Sequence, residues 1–260
     1  SNLFGGRITE CVTGAAPINP EILRFFDAAG VLVLEGWGMT ETSTAATIAT
    51  AEDFKFGTIG KPFPGVEIKI AGDGEILVKG PNVFQGYYKN PEATAETIVD
   101  GWLHTGDIGE IDPDGFIKIT GRKKDIIITA GGKNITPANL EAEIKQHPLV
   151  SQCVVIGDRR PYLVALVTLD PETSAAYAKE EGLSSDLAEL AKSEKVRASI
   201  QAHLLDQVNE KFARVEQVKK FEILPQDLSQ EGGELTPTMK VKRNVVADKY
   251  SGEVEKLYEK

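Results

Sequence analysis

The chain has 260 residues, 41% hydrophobic and 26% charged, the make-up of a globular protein of one or two domains with material for a sizeable core. Its formal net charge of −10 argues against a general nucleic-acid binder, because neutralising a phosphate backbone needs a basic surface, but leaves room for a local basic pocket. Cys11 and Cys153 sit far apart in apolar runs and read as free thiols of a reducing cytoplasm, His104, His147 and His203 are scattered without metal-ligand spacing, and no apolar run reaches membrane-spanning length.

In chain order, Ile8 to Thr13 reads as a strand ending at Gly14-Ala15-Ala16-Pro17. A helix is expected from about Pro20 to Ala29, with Ile22, Phe25 and Phe26 on its apolar face. Val31 to Leu34 is a continuous apolar run, as for a strand buried on both faces, and leads into Glu35-Gly36-Trp37-Gly38-Met39-Thr40-Glu41-Thr42. Strand, helix and strand in this order imply the end of a doubly wound α/β unit whose remaining strands precede residue 1. The Ser1-Asn2 start, without an initiator methionine, agrees with a cut or processed chain.

From Gly57 to Thr120 the pattern becomes all-β. Val66–Ile70 and Glu75–Lys79 alternate with period two around Gly72-Asp73-Gly74, a hairpin signature. Trp102–His104, Ile108–Ile111 and Phe116–Ile119 read as further short strands of a small barrel-like or distorted sheet, the last two joined by Asp112-Pro113-Asp114-Gly115. Gly121 to Pro137 then hands over to a different regime. Arg122 to Asp125 is a charged quartet, Ile126 to Thr129 a short strand, Gly131 and Gly132 a turn or a close approach for a ligand, and Thr136-Pro137 a helix start. A joint between two domains fits this segment, and so does an exposed turn with a solvated charge cluster. Downstream, Pro137 to Gln146 is a helix with Leu140 and Ile144 inward, and Val150–Ile156 and Leu163–Leu169 are strands. Asp170-Pro171 starts another helix, Ser193 to Phe212 forms the longest one with Val196, Ile200, Leu204, Val208 and Phe212 in a stripe, and Phe221–Leu224 is a strand. This half reads as a compact α+β domain.

Three places offer chemistry. Thr40 and Glu41 follow a strand and two glycines, the usual mouth of an α/β sheet, where a hydroxyl and a carboxylate can hold phosphate and a hard cation. Trp37 offers a flat face to a ring such as adenine, and a capped helix start with a surface tryptophan is the alternative. Asp107, after His104-Thr105-Gly106, can accept the hydroxyls of a ribose or serve as a turn aspartate. Lys240 follows an acidic, glycine-containing loop, where it can neutralise phosphate and carboxylate charge near the tip of a mobile segment or simply decorate a basic turn.

Taken together, Gly36-Trp37-Gly38-Met39-Thr40-Glu41, Gly80-Pro81 with Gly86-Tyr87-Tyr88, Trp102-Leu103-His104-Thr105-Gly106-Asp107 and Gly121-Arg122-Lys123-Lys124-Asp125 resemble the adenylate-forming acyl-CoA synthetases, and among them the long-chain fatty acyl-CoA ligases. The resemblance runs from Gly14 to about Arg243. It implies activation of a fatty acid with ATP to an acyl-adenylate and pyrophosphate, then transfer of the acyl group to coenzyme A. Gly14, Ala15, Ala16, Glu35, Gly36 and Trp37 would frame the adenine, Thr40 would contact phosphate, Glu41 would hold Mg²⁺, and Asp107 and Arg122 would fix the ribose. Lys240 would stabilise charge between carboxylate and α-phosphate. The resemblance further implies that residues 1–121 are the truncated carboxy-terminal portion of a large adenine- and ribose-binding domain, followed by a hinge over 122–124 that pivots at Lys124 and a mobile carboxy-terminal domain over 125–260. Ala130, Gly131 and Gly132 would then face the pantetheine arm of coenzyme A in the second step.

Two departures stand out: Trp37 replaces the family's usual tyrosine, and no Ser/Thr/Gly-rich phosphate loop occurs. The chain alone is therefore expected to be inactive, and the parent enzyme to be cytoplasmic, with peripheral membrane contact at most and no nucleic-acid partner. An amino-acid adenylation domain of a peptide synthetase and a non-catalytic nucleotide-binding module are the rival readings.

Overall fold

Alternation, glycine turns and capped prolines predict a β-rich first half and an α+β second half, and the computed structural model, which describes residues 5–16, 18–237 and 239–259, has that division. Ser1, Asn2 and Pro17, named above, lie outside the described residues. The chain falls into two units, 1–124 and 125–260.

In the first unit, β1 (Glu10–Thr13), α1 (Pro20–Ala28) and β2 (Leu32–Trp37) are followed by β3 (Thr47–Ile48) and β4 (Lys61–Pro62). Asn19 caps α1 through Glu21 N–H, with Pro20 at the first helical position. β1 and β2 are parallel, with Thr13 beside Glu35, and β3 and β4 extend the sheet antiparallel. The expected apolar face of α1 is corrected: Leu23 is the residue fully buried, whereas Phe25 is 68% and Ile22 46% exposed. β2 is likewise half-buried rather than enclosed on both faces, Leu34 alone of its residues being buried.

The second sheet of this unit is built from β5 (Glu67–Ile70), β6 (Glu75–Lys79), β7 (Ile98–Val99), β8 (Trp102–Ile111) and β9 (Ile117–Arg122), with α2 (Pro91–Thr97) leading into β7. The hairpin β5–β6 forms in the expected register. Two expected strands, 102–104 and 108–111, are one ten-residue strand, because the glycine between them makes a bulge rather than a break. β8 pairs with β6 along one side and with β7 and then β9 along the other, giving the order β5-β6-β8-β7 with β9 attached to β8. The sheet is open, so the barrel-like expectation is corrected to a mixed α/β fold without a closed barrel.

The second unit begins with β10 (Ile127–Ile128) and β11 (Asn134–Ile135), a short antiparallel pair around the diglycine turn. There follow α3 (Pro137–Ile144), β12 (Val150–Ile156), β13 (Leu163–Leu169), α4 (Pro171–Glu181), α5 (Leu187–Leu190), α6 (Glu194–Gln201), β14 (Val218–Ile223), α7 (Arg243–Lys249) and α8 (Ser251–Tyr258). β13 lies between antiparallel β12 and parallel β14, and all seven of its residues are buried. Leu163, Ala165, Val167 and Leu169 point to a core that includes Leu140, Ile144, Val196, Ile200 and Leu204, while Val164 and Leu166 join Val246, Tyr250, Val254 and Leu257. A strand with helices on both faces reads as unbroken Val, Leu and Ala for this reason.

α6 continues through a π-helical stretch, Ala202–Val208, and a short 3-10 turn, Asn209–Lys211. Residues spaced strictly by four drift about 40° per step around an α-helix. The wider π turn winds the stripe back, and Val196, Ile200, Leu204 and Val208 all stay buried. Asp170 caps α4 through Glu172 and Thr173 N–H as expected, whereas Thr136 precedes α3 without a side-chain cap.

Ile200 is fully buried at the centre of that stripe. Ile200→Ala is expected to destabilise the second unit by about 2–5 kcal/mol, seen as a lower urea midpoint in far-UV circular dichroism; an unchanged midpoint would contradict the packing.

Candidate functional site

The candidate residues of the first unit lie at the ends of β1, β2 and β9 and at the bulge within β8. Parallel pairing sets Thr13 beside Glu35, so Gly14-Ala15-Ala16 runs past Gly36. A Cβ on Gly14 would stand 2.9 Å from the Gly36 carbonyl oxygen, a contact only glycine permits. Ala15 takes a left-handed backbone, φ 68°, uncommon for a residue with a side chain. Glu35 accepts from Gly57 N–H at 3.2 Å, and burial holds its carboxyl above the usual glutamate range against that hydrogen bond.

Trp37, Asp107 and Arg122 meet. The indole Nε1–H donates to Asp107 Oδ2 at 3.0 Å, and Arg122 Nε lies 2.8 Å from Oδ1. The Asp107 carboxylate is buried, with the residue 2% exposed, while the Arg122 side chain reaches solvent. Register puts Asp107 directly opposite Arg122 on β9. A ribose hydroxyl at this carboxylate would share it with both internal donors. The Trp37 ring therefore contributes an N–H as well as a face, a role that its spacing in the sequence does not reveal.

Thr40–Thr42 forms a single 3-10 turn, with Thr40 exposed and Glu41 half-exposed. Tyr87 donates its hydroxyl to Glu41 Oε1 at 2.7 Å, and Phe84 N–H donates to the Glu41 carbonyl at 2.9 Å. The Glu41 hydrogen bond holds the Tyr87 phenol above its usual range, with burial adding to it. The Gly86-Tyr87-Tyr88 motif thus braces the turn that carries the candidate cation ligand. Among the described residues no group of three His, Cys, Asp or Glu could hold a metal ion. His147 and His203, expected to be scattered, do meet, with ring centroids 5.4 Å apart; burial first, then the neighbouring ring, lowers the His147 value.

Sequence reasoning missed Glu75. Its residue is 3% exposed, and its carboxylate accepts from Gly106 N–H at 2.8 Å, from His104 Nδ1 at 2.9 Å and from Lys123 Nζ at 3.0 Å. A carboxylate only accepts, so His104 Nδ1 carries the hydrogen. Burial pushes the Glu75 value up, but these donors outweigh it and hold the carboxyl below the usual range. Lys123 also contacts Asp73 at 2.7 Å. Lys124, the next residue, is exposed within the turn Lys123–Asp125.

In the second unit, Ala130, Gly131 and Gly132 form the tip between β10 and β11, closed by Gly132 N–H to the Thr129 carbonyl at 2.8 Å. Lys240 is exposed on a closed hairpin rather than on a free segment. Leu235 bridges Val241, Thr236 N–H donates to the Lys240 carbonyl at 2.8 Å, and Lys240 N–H donates to Thr236 Oγ1 at 3.0 Å. Buried Glu234 beneath it pairs with Lys249. Arg243 then makes a bidentate pair with Glu141, Nη2 at 2.9 Å, and donates to the Val155 carbonyl at 2.8 Å.

The chain matches the family model of the AMP-binding enzymes over residues 2–88 and that of the AMP-binding enzyme C-terminal domain over residues 124–260. It is 46% identical over 259 residues to the long-chain-fatty-acid–CoA ligase FadD15 of Mycobacterium bovis, covering 99% of this chain and 43% of that protein. Among solved structures it is similar to the adenylation domain of a carboxylate reductase from Mycobacterium chelonae, at 26% identity and a TM-score of 0.78, covering 98% of this chain and 39% of that one. It is also similar to o-succinylbenzoate CoA synthetase from Bacillus subtilis in complex with its acyl-adenylate intermediate, at 27% identity and a TM-score of 0.71, over 90% of this chain and 45% of that one. The chain thus spans less than half the length of the relatives it matches. No helix among the described residues is long and apolar enough to cross a membrane.

A carboxyl depressed in the folded state contributes stability above its unfolded value and loses it as pH falls through the folded one. The Glu75 contribution is therefore complete above its ordinary value of about 4.5 and vanishes in more acid solution. Glu75→Gln should lower the denaturation midpoint of the first unit near neutral pH, followed by tryptophan fluorescence because both Trp37 and Trp102 lie there. The gap to wild type should close as the solution is acidified; a gap that persists would refute the assignment.

Proposed function

The chain belongs to the AMP-binding enzymes, and from that premise we propose that it is the nucleotide-binding and carboxy-terminal portion of a long-chain fatty acid–CoA ligase. One observation carries the reading. Trp37, three residues before the Thr40-Glu41 turn, and Arg122 converge on the buried carboxylate of Asp107, in a chain 46% identical to a ligase of that class.

In the proposed reaction a carboxylate oxygen of the fatty acid attacks the α-phosphorus of ATP and pyrophosphate leaves. The thiol of coenzyme A then attacks the acyl carbonyl and AMP leaves, the thiol proton passing to solvent. Gly14, Ala15, Ala16, Glu35, Gly36 and Trp37 would wall the adenine, Asp107 and Arg122 would take the ribose, and Thr40 a phosphate. Lys240 would stabilise the charge that builds between the attacking carboxylate and the α-phosphate.

Mg²⁺ fits as an ion carried by the phosphates: Glu41 offers one half-exposed carboxylate, and Mg²⁺ commonly takes one or two carboxylates beside waters and substrate phosphates. When bound it would neutralise the departing pyrophosphate. Lys124, directly after the Lys123 anchor, is the proposed pivot, about which the second unit would present Lys240 for the first step and the Ala130–Gly132 tip for the second. The two free thiols fit a cytoplasmic parent enzyme, and an amphiphilic acid substrate fits peripheral contact with a membrane. Since the 260 residues hold no Ser/Thr/Gly-rich phosphate loop, ATP–pyrophosphate exchange is assigned to the parent enzyme and not to this chain alone.

The test uses the parent enzyme, with a long-chain acid, ATP and coenzyme A. Lys240→Ala is expected to slow acid-dependent ATP–pyrophosphate exchange by about 10²–10³-fold while transfer from a supplied acyl-adenylate to coenzyme A changes far less. Equal loss in both half-reactions, or in neither, would remove Lys240 from that role. Exchange with amino acids instead of fatty acids would replace the substrate class.

A further inference from the structure

We propose that Glu75 is the positioning residue for the Asp107–Arg122 pair, acting through Gly106 and Lys123. The argument begins with the bulge in β8. Between two paired positions β6 advances from Glu75 to Leu77, whereas β8 advances from His104 to Ile108, leaving β8 with two surplus residues. Gly106 sits in this bulge with φ 71°, a conformation that suits glycine.

A bulge takes backbone groups out of the ladder, and in a buried sheet each needs a new partner. Thr105 supplies two of these contacts: its hydroxyl donates to the Ile76 carbonyl at 2.7 Å and accepts from Asp107 N–H at 3.1 Å. Glu75 Oε1 takes the Gly106 N–H at 2.8 Å. Its other oxygen receives His104 Nδ1 at 2.9 Å and Lys123 Nζ at 3.0 Å.

Gly106 immediately precedes Asp107, and Lys123 immediately follows Arg122. One buried carboxylate therefore grips the chain neighbour of each member of the pair, one within β8 and one just past the end of β9. The carboxylate is buried while the Lys123 side chain is half exposed, so the pair is anchored on its acid side and holds one geometry at these two positions. Remove the Glu75 charge and Gly106 keeps an acceptor, while Lys123 loses its charged partner within the sheet. Remove the side chain and the bulge loses both.

The geometric part stands on these contacts; the consequence for substrate rests on the reading of Asp107 and Arg122 as the ribose site. Two measurements separate them. In the ¹⁵N-labelled chain the only two indole N–H signals come from Trp37 and Trp102, and Asp107→Ala defines the Trp37 signal without its acceptor. Glu75→Ala is expected to move the Trp37 signal toward that position, and Glu75→Gln to move it less, with Trp102 reporting that the sheet is intact. Should Glu75→Ala fail to fold, Glu75→Gln and Lys123→Met decide the matter. A Trp37 signal at its wild-type position in every folded variant overturns the proposal.

In the parent enzyme, the KM for ATP is compared with that for 2′,3′-dideoxy-ATP. Glu75→Gln is expected to cut this discrimination by up to about tenfold with kcat changed less, and Asp107→Ala to abolish it. Discrimination that survives Asp107→Ala defeats the ribose reading and leaves the indole signal to decide on Glu75. Discrimination lost in Asp107→Ala but intact in Glu75→Gln, with the Trp37 signal unmoved, defeats the role given to Glu75.

Discussion

The buried carboxylate of Asp107 is the constraint on which the first unit depends. Trp37 belongs to the four-stranded sheet, whereas Asp107 and Arg122 belong to the five-stranded one, so the hydrogen bond from the indole ties two sheets together at a charged atom. An unpaired carboxylate at 2% exposure would be far too costly to keep ionised. Its partners Trp37 and Arg122 come from β2 and β9, so that three separate strands, with β8, meet at this carboxylate. Backbone bonds between Ile59 and Ile117, and between Ile117 and Gly60, hold the same seam farther along.

The second unit solves a comparable problem with apolar material. β13 is covered on both faces, and the helices on each side belong to distant stretches of sequence, α3 and α6 on one and α7 and α8 on the other. Charge enters this unit's interior where Arg243 clasps Glu141 and the Val155 carbonyl. Burial alone would lower the arginine's value, yet the carboxylate beside it holds that value above the ordinary one, so the guanidinium stays charged. This clasp sits at the start of α7, three residues after Lys240, and with the Leu235–Val241 bridge it fixes the root of the hairpin that carries the exposed lysine. An exposed amine thus hangs from an ion pair in the interior.

The strands around Gly72-Asp73-Gly74 and the pair 150–156 and 163–169 were legible because period and turn chemistry agree there. The division into a β-rich first half and an α+β second half followed from the same signals. Other features needed coordinates for physical reasons. Gly106 looks like a strand breaker in sequence, and only pairing on both sides of β8 turns it into a bulge. The π stretch of the long helix leaves the i, i+4 pattern unchanged, so the stripe was read while its winding was not. Phe25 and Ile22 matched an inward face by period, but periodicity reports which residues share a face and not whether anything covers it. Motifs brought Trp37, Asp107 and Arg122 into view one by one; that they share a single carboxylate is a matter of tertiary geometry. Glu75 gave no signal at all, since a glutamate opening an alternating strand looks like a solvated end.

These cases have a common cause. Side chains that meet a ligand must escape the regular ladder, because a strand interior points its groups at neighbours. In this chain the candidate residues sit at irregularities: Asp107 at a bulge, Thr40 and Glu41 on a single 3-10 turn, Lys240 on a hairpin and the diglycine at a turn tip. Each irregularity strands backbone groups that need partners, and side chains close to the candidate residues supply many of them: Thr105 and Glu75 at the bulge, Thr42 at the 3-10 turn, and Thr236 at the hairpin. The local cost of placing a functional group is therefore met by polar residues within a few positions of it in sequence or across one strand. Such residues carry no chemistry of their own, and it is there that a candidate site's geometry can be altered without touching any group that meets the ligand.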